Sequence, residues 1–217
     1  MLSKTVIGTV NRIFSATLFF TCLYVCGKII PEGYGRANFL TLWNITAAAL
    51  FYSISLLCHF LPYLRSGREQ NSIRDLIYFG IIFPIGTTVF TFFWGLTFIN
   101  PKFILTDASL LPSWINHSIH TWIMPAAILE GICFNHSRPS SSEGRAVTIS
   151  FFSAYCVYTL IMGFVFNKWP YPFLLKLTIP YRLLFAIIPL SCSLMFYTLG
   201  VKLNSLFWKP EKQQHRS

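Results

Sequence analysis

The feature that most restricts how this chain can fold is the gathering of its apolar residues into blocks of about twenty, the length that crosses roughly 30 Å of hydrocarbon at about 1.5 Å per residue. Six blocks stand out: Arg12 to Ile30, Asn38 to Leu64, Ile73 to Ile99, Ser113 to Phe134, Val147 to Asn167 and Tyr181 to Leu206. The connectors between them, such as "RSGREQNS" and "NHSRPSSSEGR", are enriched in glycine, proline, serine and charge. A bilayer core supplies no water, so the backbone of each block must satisfy itself, and a run of this length does so as a helix. The sequence therefore predicts an all-α, polytopic transmembrane helix bundle of six spans. It forms one membrane domain over residues 1–208, with a polar tail at 209–217. The first block is longer than a secretory signal core and lacks a small-residue exit, so it reads as an uncleaved span.

Charge supports this reading. Only 11% of residues are charged, against about a quarter in a soluble domain. The formal net charge of +10 raises the possibility of nucleic acid, but the basic residues form no patch interleaved with aromatics. They fall between the blocks, where orientation signals belong, and no nucleic-acid partner is expected. One side holds eleven Lys and Arg residues (4, 12, 65, 68, 74, 138, 145, 202, 209, 212, 216) and the other six (28, 36, 102, 168, 176, 182). The positive-inside bias places both termini in the cytoplasm. The sequons at Asn44, Asn116 and Asn135 then lie within spans or on the cytoplasmic side, where glycosylation is not expected. Six cysteines lie in or at the ends of apolar blocks without a CxxC, which fits small buried hydrophobes better than a disulfide frame or a zinc site. No internal repeat is evident, which argues against a transporter of two similar halves.

The fourth block is the anomaly. "PSWINHSIHTWIMP", Pro112 to Pro125, carries two histidines, an asparagine and a threonine where lipid offers no hydrogen-bond partner. Asn116, His117 and His120 are three and four residues apart and share one helical stripe. With cytoplasmic termini, the second and fourth blocks both run inward from the outer face. Thr41 then lies about one turn in, and His120 about two turns, or roughly 10 Å. The two share a leaflet at comparable depth, and Asn44 follows on the face of Thr41. A polar pocket opening outward between these blocks is expected. Interhelical hydrogen bonding, typically worth less than about 2 kcal/mol per bond, is one use for it. Metal or haem ligation is a second, but the five histidines (His59, His117, His120, His136, His215) do not gather at one depth, and no metal or cofactor is expected. Nucleophilic catalysis is a third, an imidazole taking the proton of a threonine hydroxyl as it attacks. Spacing alone leaves these open.

Further motifs bear on the choice. "FLT" opens the second block, "FP" and "FFW" mark the third, and "WINHSIHT" is followed by a proline in the fourth. "WPYPFL" precedes the sixth and "LGVKLN" lies near its end. From about Asn38 to Trp208 the chain resembles the androgen-induced gene family of six-pass membrane proteins, described as threonine hydrolases that cleave fatty acid esters of hydroxy fatty acids. The resemblance implies a lipid-ester hydrolase of the cell membrane or endoplasmic reticulum membrane, with Thr41 as nucleophile and His120 as general base. Asn44 stands where some members carry an acid, so no carboxylate supports the site from there. Asn116 and the ring N–H of Trp114 or Trp94 are candidate oxyanion donors. His117 fits a packing role as well as a chemical one. Arg36, Lys102 and Lys168 are candidates to hold a fatty acid carboxylate at the interface. The expected partners are a lipid ester and membrane lipids. The alternative is a non-enzymatic membrane regulator whose polar stripe packs helices.

Glu130 is the one acid well inside a block. It lies about 15 Å along the helix from His120, too far for a triad, and is expected to pair with a basic residue or mark a polar route. Trp94, Trp114, Trp122, Trp169, Tyr171 and Trp208 fall near the expected interfaces, as an aromatic belt does. Pro84 and Pro125 are expected to kink the third and fourth spans.

Overall fold

A computed structural model describes residues 3–30, 36–61, 68–104 and 111–208. Among these every regular element is helical: α1 (Lys4–Ile29), α2 (Leu40–Phe60), α3 (Arg68–Ile77), a π-helical turn (Tyr78–Ile82), α4 (Phe83–Ile99), α5 (Ser113–His120), α6 (Ile123–Cys133), α7 (Ser141–Phe166), α8 (Pro172–Leu175) and α9 (Ile179–Phe207). Five helical segments are long and apolar enough to cross a bilayer: Lys4–Ile29, Leu40–Phe60, Ile73–Ile99, Ser141–Phe166 and Ile179–Phe207. The polar tail and the connectors at residues 31–35, 62–67 and 105–110 lie outside the described residues.

The expected fourth span is not one helix. It divides into α5 and α6, with the carbonyl of His117 accepting from both Thr121 N–H and Trp122 N–H. Pro125 explains the break, because it has no N–H to continue the ladder to Thr121 and its ring crowds that carbonyl. Pro84 acts differently. The carbonyl of Gly80, which an amide at position 84 would take, accepts instead from the Thr148 hydroxyl on α7 at 2.7 Å. Close approach makes this possible, since a Cβ on Gly80 would lie 2.7 Å from Val147 Cγ1.

The core is built from α1, α2, the π turn and α6. Phe19, Cys22 and Cys26 of α1 pack with Ile45, Ala48, Ala49 and Tyr52 of α2, and small side chains let the helices come near. Helices α7 and α9 lie at the periphery, where Ile161, Val165, Ile187 and Met195 are exposed. Helix α7 opens with a reciprocal Ser140–Glu143 capping box and closes on Asn167 at φ 53°, a conformation asparagine tolerates. Helix α9 seats on α4 through Gly200, where a Cβ would come within 2.6 Å of the buried Phe83 ring. Gly200→Ala should therefore lower stability by about 1–3 kcal/mol, read as a reduced melting temperature of the detergent-solubilised protein.

Arg12 is not a loop cation, as the count of orientation signals takes it to be. It lies inside α1, buried, and pairs with Glu130 of α6 at 2.5 Å while Nη1 donates to Ser55 O. Glu130 also meets His136 Nε2 at 3.2 Å, and His136 Nδ1 meets Asp75 at 2.8 Å. This chain of charges ties α1, α3 and α6 together at one end of the bundle.

Candidate active site

At the opposite end, the starts of α2, α5 and α9 meet the ends of α4 and α7 around a cavity of about 490 Å³. Most of its wall is apolar, including Leu40, Val89, Phe92, Leu96, Ile119 and Phe152. Thr41 and His120 both line it, and both are buried. Their side chains meet, with Thr41 Oγ1 lying 3.3 Å from His120 Nε2.

Local structure fixes each partner. Thr41 is the second residue of α2, whose entry is held from outside the helix: Tyr155 OH donates to Asn38 O, and Asn38 Nδ2 donates to Lys168 O. His120 ends α5, so its ring reaches the cavity wall just before the chain turns toward Pro125. Its Nδ1 faces two acceptors, Asn116 Oδ1 at 2.9 Å and Asn116 O at 3.1 Å. Two oxygen acceptors require Nδ1 to carry the proton, which leaves Nε2 with a lone pair directed to the Thr41 hydroxyl. The ring of Phe93 stacks on the imidazole at 3.5 Å and 9°, preventing it from turning away. A threonine, a histidine of fixed tautomer and an asparagine thus form a relay in sequence. Its geometry suits proton removal from the hydroxyl, at a distance toward the long end for such pairs without substrate.

The remaining expected residues are placed elsewhere. His117 is exposed and faces Thr121, whose hydroxyl lies 3.1 Å from His117 Nδ1 and accepts from Trp94 Nε1 at 3.2 Å. Trp94 stacks on His117 at 5.3 Å, so these three form a group beside the cavity rather than in its wall. Trp114 is half exposed and does not line the cavity. Asn44 is fully buried below Thr41 near Gly86, without a hydrogen-bond partner and outside the cavity wall. Asn116 lines the cavity, but its carbonyl oxygen is given to His120. Lys102 and Lys168 are exposed and do not line the cavity, and the side chain of Arg36 lies outside the described residues. Among the described residues no group of three His, Cys, Asp or Glu side chains is placed to hold a metal ion.

The family profile described as FAR-17a/AIG1-like protein matches residues 9–205. The chain belongs to that family. Within the FAR-17a/AIG1-like family it is 29% identical over 194 residues to the androgen-dependent TFPI-regulating protein of Homo sapiens, covering 87% of this chain and 84% of that one. It is also 29% identical over 193 residues to the androgen-induced gene 1 protein of Homo sapiens, covering 82% and 80%. The Mus musculus androgen-dependent TFPI-regulating protein aligns over 191 residues at 29% identity, covering 83% of each chain. No solved structure matches this member of the family.

Proposed function

We propose that this family member is a membrane hydrolase of fatty acid esters of hydroxy fatty acids, with Thr41 as nucleophile and His120 as general base. The observation that carries the reading is the 3.3 Å contact of Thr41 Oγ1 with the lone-pair nitrogen of His120 in the wall of an apolar cavity. As Oγ1 attacks the ester carbonyl carbon, its proton passes to His120 Nε2 and a tetrahedral oxyanion forms. Collapse expels the alcohol oxygen, which takes that proton and leaves an acyl-threonine. His120 then removes a proton from water as it attacks the acyl carbon, and the acid departs with Thr41 restored. Thr41 N–H lies in the first turn of α2 and has no acceptor among the described residues. It points toward the positive end of the helix dipole, which suits it to receive the oxyanion, a contribution of about 3 kcal/mol in comparable sites. Asn116 holds the tautomer. The bias in basic residues would open the site to the non-cytoplasmic leaflet, in the cell membrane or the endoplasmic reticulum membrane.

The experiment is fluorophosphonate labelling of the full-length protein, because the reagent traps activated hydroxyls. Labelling that disappears in Thr41→Ala supports the reading, and labelling that persists there removes Thr41 as nucleophile. Asn116→Ala should lower kcat by about 10²-fold through misplacement of the imidazole while leaving KM nearly unchanged. Asn116→Asp should retain most activity, since a carboxylate accepts the same N–H. An unchanged kcat in Asn116→Ala would remove the positioning role. The name of the TFPI-regulating relatives motivates a second reading, a regulator without catalysis. Under that reading, wild type itself would not label.

A further inference from the structure

One side chain in the cavity wall is unlike the rest. Arg182 is the sole Lys, Arg, Asp or Glu among the described residues lining it. Among the described residues its surroundings contain dipoles and a ring face but no counter-charge. Nε donates to Leu177 O at 2.9 Å, Nη2 donates to Leu175 O at 3.4 Å, and the guanidinium carbon lies 4.4 Å from the centre of the Trp169 ring. Trp169 is itself braced, because Gly163 leaves no room for a Cβ beneath it and Phe164 packs edge-on at 5.1 Å. The side chain is thus held by carbonyls on one edge and an aromatic ring on its face. Nη1 has no acceptor, and no carboxylate lies within ion-pair distance among the described residues.

The depth of this cation relative to the Thr41–His120 pair follows from the packing of α4 against α9. These helices are antiparallel: Phe83 meets Gly200, and Thr88 Oγ1 lies 2.8 Å from Ser193 Oγ. From Thr88 to Phe93, which stacks on His120, α4 rises about 7.5 Å; from Ser193 back to Arg182, α9 rises about 16 Å. Arg182 therefore lies roughly 9 Å further toward the site end than His120, measured along the helices. That separation is enough for the cation and the Thr41 hydroxyl to address different groups of one ligand.

A guanidinium without a carboxylate partner among the described residues, beside an apolar cavity, favours an anion, and its planar fork matches a carboxylate in particular. We propose that Arg182 anchors the free carboxylate of the substrate and makes the enzyme prefer acidic lipid esters over neutral ones. This rests on the hydrolase reading, and replaces the surface lysines as candidates for the role. Arg182 positions the substrate and takes no part in bond cleavage.

The test uses the full-length protein in detergent, with Arg182→Gln and Arg182→Lys. Hydrolysis is measured on a fatty acid ester of a hydroxy fatty acid and on the same compound with its carboxylate methylated. Binding of oleate and of methyl oleate is measured by displacement of a fluorescent fatty acid. For the acid substrate, Arg182→Gln should raise KM by about 10- to 100-fold, the worth of a charged hydrogen bond. KM for the methyl ester and fluorophosphonate labelling should both stay within about twofold of wild type. Arg182→Lys should recover part of the preference, since it keeps the charge without the fork. Equal losses on both esters would overturn the anchor, as would unchanged oleate binding in Arg182→Gln. Oleate binding that depends on Arg182 in a protein that neither labels nor hydrolyses would keep the anchor and remove the hydrolase reading.

Discussion

Replacing Thr41 with alanine is expected to abolish fluorophosphonate labelling and to reduce ester hydrolysis by about 10³-fold or more, and His120→Ala should do the same. The two losses should not add, because the hydroxyl and the imidazole act as one unit and removing either ends the same step. Thr41→Ser tests the chemistry against the packing, since it keeps the hydroxyl and drops only a methyl group. Labelling should survive that change. Phe93→Leu addresses the ring differently: it removes the stacked face against His120 and leaves every proton donor and acceptor in place. A labelling signal equal to wild type in both Thr41→Ala and His120→Ala would move the nucleophile elsewhere.

The second large effect concerns stability. Glu130→Ala should destabilise the protein by about 3–5 kcal/mol, because it strips a buried arginine of its partner. Arg12 and Glu130 are both almost wholly inaccessible, and the Arg12 guanidinium also lies 3.4 Å from the centre of the Phe134 ring. Neither group can turn to water when the other is removed. Replacing both together, Arg12→Met with Glu130→Leu, should recover most of the loss, since no unpaired charge then remains. The readout is thermal unfolding of the full-length protein in detergent, and a shift below about 1 kcal/mol in the single variant would contradict the pairing. His136 adds a pH dependence. Burial favours its neutral ring, but the carboxylates of Asp75 and Glu130 against its two nitrogens raise its pKa above the ordinary value. Stability from the charged ring is complete below about pH 6.5 and is lost as the pH climbs through the raised value in the folded protein. Melting temperature should accordingly fall as the pH rises above about 6.5, and less so in Glu130→Gln.

Much of this architecture is legible in the residues. Block length alone gives the helices, and the third block coincides with the segment Ile73–Ile99. The break between α5 and α6 is harder to read, because Pro84 and Pro125 look alike in sequence, and only tertiary contact decides that one is bridged and the other interrupts. Depth brings Thr41 and His120 to one level, but rotation about each helix decides whether they face one another. The same rotation separates residues that spacing groups together. Asn44 shares a side of α2 with Thr41 yet ends in the protein interior, and His117 leaves the stripe of Asn116 and His120 for the Trp94 ring. Asn116 and His120 do stand one turn apart in the sequence, but nothing there says that the amide serves the imidazole rather than a ligand. Arg182 is one more cation beside a span until carbonyls of the 175–177 segment and the Trp169 ring are seen to hold it.

The bond from Thr148 to the carbonyl of Gly80 has a consequence for how this protein can vary. A proline in a helix is a local deficit, but here the remedy is encoded 64 positions later, on another helix. Neither residue can be understood from its own neighbourhood, because position 84 creates the vacancy that position 148 fills. The pair also works as a key between the two helices. Sliding one along the other by a turn would leave an acceptor without a donor and press Val147 onto backbone that has no Gly80 to receive it. Drift at either position is therefore constrained by the other, and the two are expected to change together or not at all.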